Sequence, residues 1–158
     1  MKRIVAGVDE VGRGSLIGPV YAAAVIFNKK MNKKEIKDSK KLNKIKREIL
    51  AKYIKKNSTW AIGHASLKEV ENINILNASL LAMKRAIIKL KTKPKIVLID
   101  GNKSPKIKNY FIKTVIKGDQ KIPEISAASI IAKVSRDKLI NKSLRYYRRL
   151  LFCIAKYG

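Results

Sequence analysis

Four carboxylates in this chain have the type and the placement to do chemistry: Asp9, Glu10, Asp100 and Asp137. Taken singly, each has an ordinary explanation. An acid after an apolar run is commonly a turn residue, Asp100-Gly101 is a common turn dipeptide, and Asp137 could pair with Arg136 or Lys133. Gathered at one point they would repel one another and lose solvation, so they would need compensating cations. Oxygen ligands of this kind suit Mg²⁺ or Mn²⁺, which keep several waters and contact substrate phosphates. Two such ions ~3.5–4 Å apart can activate a water and stabilise a leaving oxygen in phosphodiester hydrolysis. A single histidine, His64, argues against a His-rich zinc site, and no Walker loop is present.

The elements that must position these acids can be read from hydropathy. Residues 3–8 form a short β-branched run ending at Asp9-Glu10, which predicts a buried strand. A Gly-Arg-Gly loop (Gly12, Arg13, Gly14) and Gly18-Pro19 then lead into an apolar run over residues 20–27, which suggests an antiparallel hairpin. Residues 29–44 are Lys-rich and read as a surface loop. Ile45, Ile49, Tyr53 and Ile54 predict a helix over residues 44–56, and residues 59–65 a third strand. Ser66 and Glu69 have capping-box spacing. Leu76, Leu80, Met83 and Ile87 carry an amphipathic helix to about Leu90, before Pro94. Strands are expected over residues 95–99 and 110–116, and a helix over 126–140 whose apolar stripe passes through Ile130 and Val134 and continues to Asp137. If the two acid-ended strands lie side by side and parallel, Asp9, Glu10 and Asp100 meet where open α/β sheets usually bind ligands.

Composition narrows the partners. Thirty-seven Lys and Arg against eleven acids give a formal charge of +26, a field that concentrates polyanions. Nucleic acid, ribosome or anionic membrane surface would each answer to it, and so would compositional drift in a Lys-, Ile- and Asn-rich chain. The longest uninterrupted apolar run, residues 20–27, is too short to cross a bilayer, and the first residues do not make a signal peptide. The lone Cys153 fits a reducing compartment, so a cytoplasmic location is expected. At 158 residues the length suits one domain.

Several stretches together carry a family resemblance. Gly7-Val8-Asp9-Glu10-Val11-Gly12-Arg13-Gly14 with Gly18-Pro19-Val20 resembles the opening motif of ribonuclease HII, and Asp38-Ser39-Lys40-Lys41-Leu42 that family's next motif. Residues 69–86, Asp100-Gly101-Asn102 and Lys117-Gly118-Asp119 follow in order. Ala127-Ala128-Ser129-Ile130-Ile131-Ala132-Lys133-Val134-Ser135-Arg136-Asp137 is similar to its last acidic motif. The resemblance spans roughly residues 4–140. It implies an α/β, ribonuclease-H-like fold: a five-stranded mixed sheet, its first three strands antiparallel, flanked by helices. It implies a monomeric metal-dependent endonuclease that cuts the RNA strand of RNA·DNA hybrids and cuts at ribonucleotides within duplex DNA, leaving 3′-hydroxyl and 5′-phosphate. Asp9, Glu10, Asp100 and Asp137 would hold two Mg²⁺ or Mn²⁺ ions. Gly12, Arg13 and Gly14 would read the sugar, because glycine lets backbone amides approach closely and the 2′-OH distinguishes RNA from DNA. Lys40, Ser129 and Lys133 would contact the nucleic acid, and Asp119 would be structural.

The resemblance also implies a catalytic domain over residues 1–140 and a divergent or shortened tail over 141–158. Relatives usually continue past the last acid into a Gly-Tyr-Gly-Thr-like stretch with a nucleotide-packing tyrosine, a pattern that residues 144–158 do not reproduce. Three readings stay open at this level: an active nuclease, a relative that only binds nucleic acid, and a small basic RNA-associated protein. The full set of four acids speaks against the third.

Overall fold

The computed structural model describes residues 4–14, 18–36 and 42–157, with side chains as far as residue 148. Asp38, Ser39, Lys40 and Lys41 lie outside the described residues. Five strands form one sheet: β1 (Val5–Val11), β2 (Val20–Phe27), β3 (Ser58–Ala65), β4 (Ile96–Asp100) and β5 (Ile112–Val115). Their order is β3-β2-β1-β4-β5. β1 pairs antiparallel with β2, and β2 antiparallel with β3, whereas β4 runs parallel to both β1 and β5. The mixed sheet with three antiparallel leading strands is therefore the observed one.

Both faces of the sheet are covered, which explains why β1 and β2 read as nearly continuous apolar runs. Alternate residues of β2 sort to opposite sides. Ala22, Ala24 and Ile26 pack with Ala78, Ala82, Met83, Ala86 and Ile87 of α2 (Leu67–Ile88). Ala23 and Val25 pack with Leu50, Ala51 and Ile54 of α1 (Lys44–Lys56) and with Ala127, Ala128 and Ile131 further along the chain. Those last residues belong to a helix that follows a short one, α3 (Gly118–Lys121), and runs as α4 over Pro123–Tyr157. Two glycines let the backbones close up. A Cβ on Gly7 of β1 would overlap the Glu124 and Ile125 backbone of α4, and one on Gly63 of β3 would overlap the α2 backbone at Ala82 and Ala86.

The helix starts follow local chemistry. Asn43 caps α1 by accepting from Lys46 N. Ser66 and Glu69 form the expected capping box on α2, and Arg85 returns to Glu69 at 2.6 Å. The Arg85 hydrogen bond and then the Ser66 amide hold the half-buried Glu69 carboxyl down at about 2.

Three features differ from the sequence reading. Residues 29–44 are not simply loop, since Lys33–Ile36 form a 3₁₀ turn whose Ile36 is fully buried. α2 breaks at Asn74, which adopts φ 65° and restarts the helix by accepting from Asn77 N at 3.0 Å. α4 is 35 residues long rather than ending at 140. The apolar stripe stops there, but the Leu, Arg, Lys and Ala that follow are good helix formers with no Gly or Pro before Gly158.

Candidate active site

The parallel pairing of β1 with β4 brings acids from distant parts of the chain together. The last paired step of the register is Val8 against Ile99, so Asp9 and Asp100 are the next residues on adjacent strands. Gly101, at φ +91°, turns the chain immediately after Asp100. Asp100 Oδ1 accepts from Gly101 N at 3.0 Å and from Gly118 N at 2.7 Å, which ties the end of β4 to the start of α3.

Asp9 is only 6% exposed. Burial pushes its carboxyl well above the usual carboxylate range, and the charges of Glu10 and then Asp100 push it further. A hydrogen bond from the Ser129 side chain of α4 and another from Glu10 N, at 2.8 Å, oppose that rise without cancelling it. Burial also raises Glu10, against the hydrogen bond and charge of Arg13, whose Nη1 lies 3.3 Å from Oε1. Three carboxyls thus share one poorly solvated spot, and two of them resist ionisation.

A cavity of about 220 Å³ opens beside them, lined by Glu10, Val11, Arg47, Asp119, Ser126, Ser129, Ile130 and Lys133. Ser129 and Lys133, expected to contact nucleic acid, line this cavity with Glu10. Asp137 does not. It lies two helical turns beyond Ser129, ~12 Å along the axis. There it pairs with Lys133 Nζ at 3.0 Å and faces a separate cleft with Lys44, Ile140 and Asn141. The stripe that carried it toward the core is real, but the helix outruns the end of the sheet. Asp119, expected to be structural, lines the cavity with Glu10. Its local signal was weak: an acid after Lys117-Gly118, in a helix of four residues.

The Gly12-Arg13-Gly14 loop leaves β1 next to this cavity. Gly12 has φ +112°, and a Cβ there would come within 2.8 Å of Arg136 Nε and 3.1 Å of Pro19 O. Arg136, buried on α4, donates from Nε to Pro19 O at 3.0 Å and fills the space a Gly12 side chain would need. Among the described residues, nothing lies within 4 Å of where a Cβ on Gly14 would stand.

Among the described residues no three His, Cys, Asp or Glu side chains are gathered closely enough to enclose an ion by themselves. The donor chemistry nonetheless suits a hard divalent cation. All of the neighbouring acids are oxygen donors, and a positive charge at Asp9 and Glu10 would offset the loss of solvation that raises both, and with it the repulsion that adds to the rise. Among the described residues no helix is long and apolar enough to cross a membrane.

Comparison with known proteins gives a consistent result. A family model described as Ribonuclease HII matches residues 6–152. The chain is 76% identical over 140 residues to a Ribonuclease HII of Pelagibacter ubique, covering 89% of this chain and 75% of that protein. It is similar in structure to the Archaeoglobus fulgidus RNase HII solved in a complex with PCNA, with a TM-score of 0.79, 30% identity, and coverage of 91% and 78% of the two chains. The ribonuclease H2 of Pyrococcus horikoshii gives a TM-score of 0.77 at 31% identity, with coverage of 90% and 76%.

Proposed function

The chain belongs to the ribonuclease HII family, a family of metal-dependent nucleases of ribonuclease H type, and on that footing we propose that it cuts at ribonucleotides embedded in duplex DNA and along the RNA strand of RNA·DNA hybrids. The observation that carries this reading is the meeting of Asp9, Glu10 and Asp100 at the ends of two parallel strands, beside a cavity that also holds Ser129 and Lys133.

Asp9, Glu10 and Asp100 are the residues that would hold metal, with Asp119 rather than Asp137 supplying a fourth carboxylate from the cavity wall. Two Mg²⁺ or Mn²⁺ ions bound there would supply an activated water and stabilise the leaving 3′ oxygen. The chain's own residues do the rest. Ser129 orients Asp9 through its hydrogen bond, and Asp100 is oriented by the Gly118 and Gly101 amides. Lys133 presents its ammonium to the scissile phosphate from the cavity wall and is steadied by Asp137. With no side chain at Gly14, and none of the described residues within 4 Å of where one would begin, a ribose could come close to backbone amides there, and a 2′-OH is the group to be read.

The test is direct. The purified chain is incubated with Mg²⁺ or Mn²⁺ and three duplexes: one carrying a single ribonucleotide, one an RNA·DNA hybrid, one all DNA. Cleavage of the first two to 3′-hydroxyl and 5′-phosphate ends, with the third intact, is expected. Binding of all three without cutting would reduce the chain to a basic nucleic-acid-binding module.

A further inference from the structure

A second feature stands at the same end of the sheet and is untouched by the chemistry above. Val11, Tyr21 and His64 are register partners across β1, β2 and β3, one row beyond Glu10 and two beyond Asp9. Side chains alternate between faces, so this row shares the face of Ala23 and Val25, the one that α1 and α4 cover. Within the sheet that face is sealed, with Ala23 and Val25 fully buried. At this row the cover ends, and Tyr21 is half-buried while His64 is exposed. Their rings lie nearly parallel, 24° apart with centroids at 5.6 Å.

The pair is also held from both sides. Arg136 donates to the Pro19 carbonyl, two residues before Tyr21. Arg85 donates from Nη1 to the His64 carbonyl at 2.8 Å, and is itself fixed by Glu69 of the capping box. A cross-strand aromatic pair can exist only to stiffen a sheet. That role does not require an uncovered polar ring beside the Gly-Arg-Gly loop of a chain carrying +26.

We propose that Tyr21 and His64 form a platform on which the substrate duplex rests the sugar faces of one strand, beside the cut. The proposal deepens the function proposed above and rests on it. With strands ~4.8 Å apart and ~3.3 Å per residue, the two rings stand on Cα positions roughly 8–12 Å from that of Asp9. At ~3.4 Å of rise per nucleotide, this is about two to four nucleotides from the reacting phosphate. Stacked on each other, the two rings present their outer edges as one apolar surface, which suits sugars because their C–H faces are the same whatever the base.

The test uses the full chain with Mg²⁺ and a duplex carrying one ribonucleotide, comparing wild type with Tyr21→Leu/His64→Leu. The double variant is expected to raise KM and Kd roughly fivefold, about what the loss of one small apolar contact costs. Because no phosphate contact is removed, the log–log slope of affinity against salt stays at the wild-type value. Tyr21→Phe, which keeps the ring, recovers most of the loss when combined with native His64. Shortening the duplex one base pair at a time on each side locates the contact. Wild type and variant converge once fewer than about four pairs remain on the platform side. Unchanged Kd and KM overturn the platform. A slope reduced by about one overturns sugar packing in favour of a phosphate contact, and so does failure of Tyr21→Phe to recover binding. Affinity for the same duplex is read by anisotropy, so the platform is judged even if wild type fails to cut, an outcome that would count against the proposed function alone.

Discussion

Asp9 is buried, raised and next to two other carboxyls, so its charge is a cost to the metal-free fold. The sign follows from linkage. A carboxyl whose folded value lies above its unfolded value contributes stability at low pH and loses it as pH rises through the folded value. Asp9→Asn is therefore expected to raise the metal-free melting temperature near neutral pH. That gain vanishes as pH falls below the ordinary carboxylate range, where the acid is neutral in both states. Melting curves from pH 3 to pH 8 in chelator check it, and a gain independent of pH would show that charge is not its source. Asp119 and Asp137 separate by activity. Asp119→Asn should lower kcat by orders of magnitude. Asp137→Asn frees Lys133 without removing a cavity acid and should cost no more than about tenfold. Single-turnover rates on a ribonucleotide-bearing duplex decide between them, and the reverse ranking restores Asp137 to the metal site. The sequence alone could not make this distinction, because Asp137 sits in the more conspicuous motif and on a continuing apolar stripe.

Among the elements, β2 and α1 were legible to the residue, since Val20–Phe27 and Lys44–Lys56 begin and end where the pattern does. The parallel placement of β1 and β4 was legible only as a condition, because Val97 pairs with Ala6, 91 positions earlier in the chain, and nothing local records the pairing. The break at Asn74 was hidden because the apolar repeat that marks this helix, Leu76 to Ile87, lies wholly after it. Glycine positions divide in the same way between local and tertiary causes. Gly7→Ala should force β1 and α4 apart, costing on the order of 1–3 kcal/mol or more as overpacking does. That corresponds to a melting temperature lower by several degrees. Gly14→Val would meet none of the described residues and should lower melting less than Gly7→Ala does, yet reduce the preference for a ribonucleotide-bearing duplex over all-DNA. Differential scanning calorimetry and paired cleavage assays test the two, and a Gly14→Val variant with intact preference moves sugar reading elsewhere.

For the whole molecule, the net charge and the uneven distribution of acids govern association. Each phosphate contact contributes roughly −0.9 to the log–log salt slope on B-form DNA, so a footprint of several contacts makes binding fall steeply between low and moderate salt. Titrations at 50, 100 and 200 mM salt measure it, and a flat dependence would remove nucleic acid as the partner. The length of α4 adds a further consequence. From Asn141 to Arg148 every residue of that helix is exposed, so no packing holds its turns closed. Lys138, Lys142, Arg145 and Arg148 follow one another at spacings of three and four, and no acid occurs after Asp137. Like charges at those spacings oppose helix formation, and a short unpacked helix is marginal in water. Amide protons between residues 125 and 137 should therefore exchange slowly with solvent deuterium, and those from 141 onward rapidly. A bound polyanion would relieve the repulsion, so exchange beyond residue 141 should slow when duplex is added, tracing the arrival of substrate as a wave of protection along one continuous helix.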